Sequence, residues 1–599
     1  MLKNSYTEQF AETLATSFKQ VYPTQFDQLG EEQVFNSRFI LSGLEKPKDP
    51  SMGRFAFPVF KYARLLGEKP QEIASKVAQS AQAELNGNGS LLAEIAAAGA
   101  YINGRTSFEA EAGETIREVL SKGSDYGQSE IGAGHRVLVE YSSVNIAKPF
   151  GIGHLRTTIL GNALRRVFLK LGYDTMGINY LGDWGTQFGK MIVAYSRWGE
   201  SEEPSIAELM DLYVKFHVEA EKDPQLDEQA REEFKKLEDG NKGTEDLWQR
   251  FKTISLKEFD RVYKKMRVEF DWITGESFLN DKMEEVIARL EKAGLTSISE
   301  GALVVELHDP QLPPCLLRKA DGATLYATRD IAGLLYRWKT YPFDEMLYVV
   351  GSAQSDHFKQ VFKVVEMLEE AENTPPEKRV TGKAKHIEFG WVKFGDQAMA
   401  TRKGTIILLD NVLDRAIELA REKIREKNPD LKNFEETAAM IGIGAVMFSQ
   451  LSVRRQKDIN FDWDEVLNFE GETGPYLQYT HARLRSLLRN FTGEISASID
   501  MKLLECEEEK RVLELLADYP DAIVDAARSY EPNLVSTHLL KLAGAFNKVY
   551  QRKDDQGRID RIISDDPKLS AARIAFVRAV QIVIGDGLAL LGMQAPEEM

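Results

Sequence analysis

Residues 139–175 read VEYSSVNIAKPFGIGHLRTTILGNALRRVFLKLGYDT. With the residues just before it, the stretch is an apolar strand (RVLVEYSS), a turn punctuated by Pro and Gly, and a long amphipathic helix. Gly151–His154, a Gly-x-Gly-His element, falls where the turn becomes the helix. Free backbone N–H groups, the positive end of a helix dipole and an imidazole thereby surround one point, which suits a polyphosphate. Gly151 and Gly153 lack a Cβ, so a flat base or a phosphate can approach the backbone closely. His154 adds a donor that is neutral or charged near pH 7.

Outward from this stretch, Gly132 to about Leu413 alternates strand and helix. The strand candidates are RVLVEY, DTMGINYL, ALVVEL, EMLYVVG and KHIEFGWVKF, which predicts an α/β fold with a doubly wound parallel sheet and right-handed crossovers. A charged stretch from about Trp198 to Trp272 interrupts the pattern and is read as exposed helices inserted between its halves. Before about Leu120 the chain reads as a separate α+β domain. RFAFPVF is strand-like there, PQEIASKVAQSAQAEL is helical by its Ile73, Val77 and Leu85, and the NGNGS loop and the Ala-rich run after it punctuate the domain. After about Asp462 the chain reads as an all-α bundle with Arg483, Arg485, Arg489, Lys541, Lys548 and Arg552 on a partly basic, Tyr-bearing face suited to unpaired bases. The expected domains are therefore 1–120, 130–415 with its insertion at about 198–272, a connecting helical region at 416–462, and the bundle at 463–599.

The chain has 599 residues, 43% of them hydrophobic and 28% charged, enough for about four domains at ~150 residues each. No run of ~18 apolar residues is present, and the N-terminus mixes Glu with Lys and lacks the apolar core of a signal peptide. Cys315 and Cys506 imply no disulfide framework, so a cytoplasmic setting is expected. A net charge of -17 argues against a general nucleic-acid coat and leaves room only for a local, selective RNA contact.

Several polar residues fall just after strands. Glu140 ends the first sheet strand and Asn145 follows in the turn; Tyr326 and Asp330 lie one helical turn apart; Gln354 and His357 follow EMLYVVG. Two acids, an Asn, a Gln and a Tyr suit a small polar ligand with a fixed positive charge, and a guanidinium matches carboxylates bidentately. AMATRKG, from Ala398, offers Arg402 and Lys403 to phosphates.

GIGHLRTT resembles the HIGH signature of class I aminoacyl-tRNA synthetases, and AMATRKG resembles their KMSKS loop. EYSSVNIAKPF, NYLGDWGTQFG, LYATRDI, AQSDHF and TGPYLQYTHAR are similar to the arginyl-tRNA synthetase family. The resemblance implies a tRNA-elbow-contacting N-terminal domain, a Rossmann-type catalytic core and an anticodon-binding bundle. It implies arginyl-adenylate formation from arginine and ATP, then transfer to the 2′-hydroxyl of the tRNA's terminal adenosine. Motif by motif, it gives Glu140, Tyr326 and Asp330 to the guanidinium, and Asn145 and Gln354 to the amino and carboxylate end. Gly151, Gly153, His154 and Met399 go to ATP, with Lys148, Arg402 and Lys403 at the phosphates. Magnesium is expected to arrive with ATP, without a dedicated metal site or a tightly bound cofactor. The partners implied are tRNA, L-arginine and ATP, with no membrane, for a monomer without a proofreading centre. The chain departs from the pattern at Gly151, where the first His of HIGH stands, and at Ala398 and Thr401, where KMSKS has lysines. Lys148 and Lys403 are the residues able to supply the missing charge.

Overall fold

The computed structural model describes residues 5–25, 36–47, 49, 52–85, 90–148, 150–202, 204–320, 322, 324–394, 407–554 and 556–599. At its centre is a five-stranded sheet of β1 (Arg136–Glu140), β2 (Asp174–Leu181), β3 (Trp272–Gly275), β4 (Glu345–Tyr348) and β5 (Ala384–His386). The strands are all parallel, in the order β5-β4-β1-β2-β3. Val137, Leu138 and Val139 are fully buried, as a strand covered on both faces must be. The strand order reverses between β1 and β4, and ligands of such sheets bind beyond the carboxyl ends at that point.

The crossover helix Leu155–Lys170 connects β1 to β2 and is buried almost throughout its first ten residues. It lies between the sheet and helices of the C-terminal half, so small residues line it. At Gly161 an added Cβ would come 2.2 Å from Tyr141 Cβ, so only glycine lets the helix sit this close to the chain leaving β1.

Four of the five expected strand segments supply strands of this sheet, and the differences have local causes. ALVVEL forms Ala302–Val305, but in a separate antiparallel three-stranded sheet with Thr296–Ser299 and Cys315–Arg318. A short apolar run gives no information about its partner. β3 lies at the end of the charged stretch and has only four residues, mostly part-exposed, too few for a period to show. KHIEFGWVKF breaks into β5 and Val392–Phe394, which pairs in parallel with Ile459–Phe461.

In the N-terminal region, Phe55–Pro58, Tyr101–Thr106 and Leu92–Ala98 form an antiparallel sheet with Tyr101–Thr106 in the middle. The Ala-rich run is thus a strand, where tertiary pairing overrides alanine's helical preference. Helices Ser5–Val21 and Pro70–Glu84 pack against this sheet around a core of their own, with Phe10, Phe18, Tyr62 and Ile73. Helices Gly474–Arg489, Glu507–Ser529, Asn533–Gln551 and Pro567–Leu590 form the C-terminal bundle, whose core runs without a break into that of the sheet. Of its basic residues, Arg485 and Arg489 pair with Glu597 and Glu598, and Arg552 with Asp560.

The inserted stretch forms helices Ile206–Ala220, Gln225–Glu238 and Lys242–Met266. The third is not an exposed helix: Trp248, Phe251, Ser255, Phe259, Val262 and Tyr263 are buried, facing the strand ends. Among the described residues, no helix is long and apolar enough to cross a membrane.

Candidate active site

Glu140 and Tyr348 end β1 and β4 side by side in register. Helix Tyr326–Thr340 carries Tyr326, Asp330 and Arg337 at intervals of four and seven, on one stripe. Arg337 Nη2 lies 2.5 Å from Glu140 Oε2, and Nη1 donates to Tyr348 Oη at 3.2 Å. The guanidinium sits 5.2 Å from the Tyr180 ring centroid and 5.7 Å from that of Tyr348. Burial pushes the Glu140 carboxyl up to about 7; Arg337 opposes the rise and Asp330 adds to it. Burial disfavours the charged Arg337, but Glu140 together with Tyr348 and Tyr180 more than offsets this and the net direction is upward. Glu140 thus already holds a guanidinium, one from its own chain.

Asp330 Oδ2 lies 2.6 Å from His357 Nε2. Nearby, Arg329 Nη1 is 3.4 Å from Glu276 Oε2, and burial pushes the Glu276 carboxyl up to about 7. The buried Tyr180 hydroxyl has no hydrogen-bond partner among the described residues. Tyr326 is 62% exposed and Gln354, in the short turn after β4, is exposed as well, so both face open space beside Asp330 and His357.

The turn after β1 is held by unusual backbone. Ser142, Ser143 and Ala147 have φ of 74°, 51° and 58°, each costing about 1 kcal/mol or more in an L-residue. Their anchors are side chains. Thr157 Oγ1 accepts from Ser142 N and donates to Val349 O, at 3.1 and 2.6 Å. Asn179 Oδ1 accepts from Ser143 N at 3.2 Å, and Ser255 Oγ accepts from Ala147 N at 3.0 Å. Tyr263 Oη joins Ser142 Oγ (2.8 Å) and Asn179 Nδ2 (3.0 Å). Asn145 bridges in parallel to Gly182, where a Cβ would come 2.0 Å from Asn145 Oδ1. Trp248 Nε1 donates to Asp183 O, and Lys252 pairs with the Asp183 carboxylate at 2.7 Å. Ser255, Tyr263, Trp248 and Lys252 all come from the third inserted helix.

At the Gly-x-Gly-His turn, Gly153 is exposed and a Cβ there would meet nothing within 4 Å. Burial pushes His154 down to about 4, so its imidazole is neutral; the Gly151 backbone beside it only partly offsets the shift. Lys148 stands 5.5 Å over the Tyr213 ring, its pKa lowered by burial. The turn is stitched to the chain after residue 406: Ile152 N donates to Ile407 O at 3.0 Å and Leu409 N to Phe150 O at 2.9 Å. Gly151 bridges to Leu408. Fully buried Arg156 caps Gly390 O and Lys457 O at 2.9 and 2.7 Å. Met399, Arg402 and Lys403 lie outside the described residues, as do Ala398 and Thr401.

The structure therefore gathers Glu140, Asp330, Tyr326 and Gln354 around the β1/β4 ends, with Asn145, Lys148, Gly151, Gly153 and His154 along the adjoining turn. Sequence reading missed Arg337, Tyr180, Tyr348, Glu276 and Arg329. Arg337 lies on the Tyr326/Asp330 stripe, but the stripe alone does not show that it turns onto Glu140; Ser255 and Tyr263 carry no sequence signal for their role.

A doubly wound sheet with a Gly-x-Gly-His turn at its switch point and a helical bundle behind it defines a class I aminoacyl-tRNA synthetase. Residues 115–463 match the family described as "tRNA synthetases class I (R), catalytic domain". Residues 7–105 match "Arginyl tRNA synthetase N terminal domain" and 477–599 match "DALR anticodon binding domain". The arginine–tRNA ligase of Halothermothrix orenii is 44% identical over 561 residues, covering 93% of this chain and 95% of its own. That of Enterococcus faecalis is 44% identical over 578 residues, covering 96% and 98%. The solved arginyl-tRNA synthetase of Thermus thermophilus superposes with a TM-score of 0.75 at 25% identity, covering 98% of this chain and 99% of its own. The chain belongs to the arginyl-tRNA synthetase family. It is an enzyme with arginine–tRNA ligase activity, attaching arginine to its tRNA in an ATP-dependent reaction of two steps.

Proposed function

We propose that the pocket at the ends of β1 and β4 takes the arginine side chain, with Asp330 as the anion that receives its guanidinium, Tyr326 beside it and Glu140 at the floor. The observation that carries this is the charge balance. Among the described residues three carboxylates, Glu140, Glu276 and Asp330, gather here; Arg337 and Arg329 accompany the first two, and Asp330 has the imidazole of His357. One more fixed cation completes the set, and a planar donor fork suits it. Asn145 and the exposed Gln354 hold the α-amino and carboxylate end, which points the carboxylate towards the Gly-x-Gly-His turn.

ATP lies along Gly151, Gly153 and His154. The open space over Gly153 and the neutral imidazole of His154 support this placement. Lys148, Met399, Arg402 and Lys403 complete the phosphate side, and Mg²⁺ comes with ATP. The arginine carboxylate oxygen attacks the α-phosphorus, the bond to the bridging oxygen breaks and pyrophosphate leaves. The 2′-hydroxyl of the terminal adenosine of the tRNA then attacks the adenylate carbonyl and AMP leaves. Both steps need alignment and charge stabilisation more than a protein nucleophile. The working form is a monomer bound to one tRNA. The test of the assignment is arginine-dependent ATP–pyrophosphate exchange by Asp330→Asn with tRNA present. A large rise in the arginine KM at unchanged ATP KM supports it, and an unchanged arginine KM refutes it.

A further inference from the structure

We propose that Arg337 is a positioning residue for arginine recognition: a guanidinium supplied by the chain itself, which fixes the Glu140 carboxylate at the end of β1 and favours its charged form for the substrate. This rests on the reading that the β1/β4 pocket takes the arginine side chain.

The geometry is that of a built device. Arg337 and Glu140 are both buried and 2.5 Å apart. The guanidinium is held from three further directions: by the rings of Tyr180 on β2 and Tyr348 on β4, and by the bond to Tyr348 Oη. A flat cation between two rings and a carboxylate is a place for arginine rather than lysine. The groups that bear on Glu140 are Arg337 and Asp330 from the helix and Tyr348 from the neighbouring strand; Tyr180 on β2 faces Arg337, and His357 sits behind Asp330. Among the described residues Arg337 is the one cation that bears directly on Glu140, while Asp330 works against its ionisation. Arg337 already opposes the rise of the Glu140 carboxyl, which stands at about 7 with it in place; without Arg337 the carboxyl rises further and stays protonated through the neutral range. The substrate would then meet a neutral acid that could turn away from it.

The experiment measures arginine-dependent pyrophosphate exchange by the full-length protein with tRNA present, from pH 6.5 to 8.5. The expected result for Arg337→Met is an arginine KM raised roughly fivefold at pH 7, the effect of about one pKa unit on a Glu140 carboxyl that stands at about 7. The ATP KM stays unchanged. The ratio of variant to wild-type KM shrinks as pH rises and Glu140 ionises; the Asp330–His357 pair is common to both proteins and cancels in that ratio. Arg337→Lys keeps the charge and restores the wild-type pH profile. A KM ratio flat with pH, or an unchanged arginine KM, overturns the proposal. If Arg337→Met does not fold, E140Q is compared with the neutral pair E140Q/R337Q. Because Arg337 acts through Glu140, the second substitution adds no further rise in arginine KM, and an additive rise overturns the proposal. Asp330→Asn and Glu140→Gln that both leave the arginine KM unchanged overturn the pocket reading itself. A raised KM in those two with a wild-type KM in Arg337→Met overturns only the role of Arg337.

Discussion

The two ends of the site are built in opposite ways. At the proposed guanidinium end, charge is buried and paired but for one cation: Glu140 and Arg337 lie within ion-pair distance beside two tyrosine rings, and Asp330 is backed by His357. At the turn, a glycine faces open space, an imidazole is kept neutral, and three non-glycine residues sit in left-handed backbone. The difference follows from what each end has to do. Telling arginine from its neutral isostere citrulline requires fixed charges in a dry place, where an imperfect partner leaves a buried carboxylate unpaired. Holding a polyphosphate through bond exchange requires backbone donors that reach close, and cations spaced along its path.

The largest effect is expected where the contrast is sharpest. Asp330→Asn should lower kcat/KM for arginine about 10³-fold or more with the ATP KM unchanged, since it removes a charge-assisted pair in a partly buried site. A parallel rise in the ATP KM would show that the two ends are not separate. Lys148→Met should do the reverse, lowering the exchange rate roughly 10²-fold with the arginine KM near wild type. Next comes the pH dependence of the arginine KM. The Glu140 carboxyl, pushed up to about 7, is protonated below that value and ionised above it. A cationic substrate favours the ionised form, so the wild-type KM should fall as pH rises from about 6 to 8 and then level off; a KM rising over that window would contradict the sign.

Gly153→Ala meets no atom within 4 Å, so the melting temperature should hold while the ATP KM rises, about several-fold. A raised ATP KM with a lowered melting temperature would mean that the turn is structural. Ser255→Ala should have the smallest catalytic effect. It leaves Ala147 N without its 3.0 Å acceptor, which costs about 1–3 kcal/mol of stability, readable by denaturant unfolding.

The sheet was legible because its central strands are continuous apolar runs and the Gly-x-Gly-His turn marks the first crossover. The short edge strand Trp272–Gly275 was hidden because four part-exposed residues carry no period. The Ala-rich strand Leu92–Ala98 was hidden because its residues individually favour helix. Within the site, residues adjacent to strand ends could be named from order alone, as Glu140, Asn145 and Gln354 were. The supports could not. Ser255 and Tyr263 lie on a helix more than a hundred residues downstream of the turn they brace, in a stretch whose charged face reads as solvated. Arg337 looked like one more basic residue at a helix end; only folding shows that it turns inward on Glu140.

The most direct measurement is ATP–pyrophosphate exchange with tRNA present, run for arginine and for citrulline on the wild-type protein and on Asp330→Asn. A pocket completed by the substrate's guanidinium gives exchange with arginine, almost none with citrulline, and a collapse of the arginine rate in the variant. Comparable exchange with citrulline, or a variant within about tenfold of wild type on arginine, would contradict charge pairing at Asp330 as the basis of recognition.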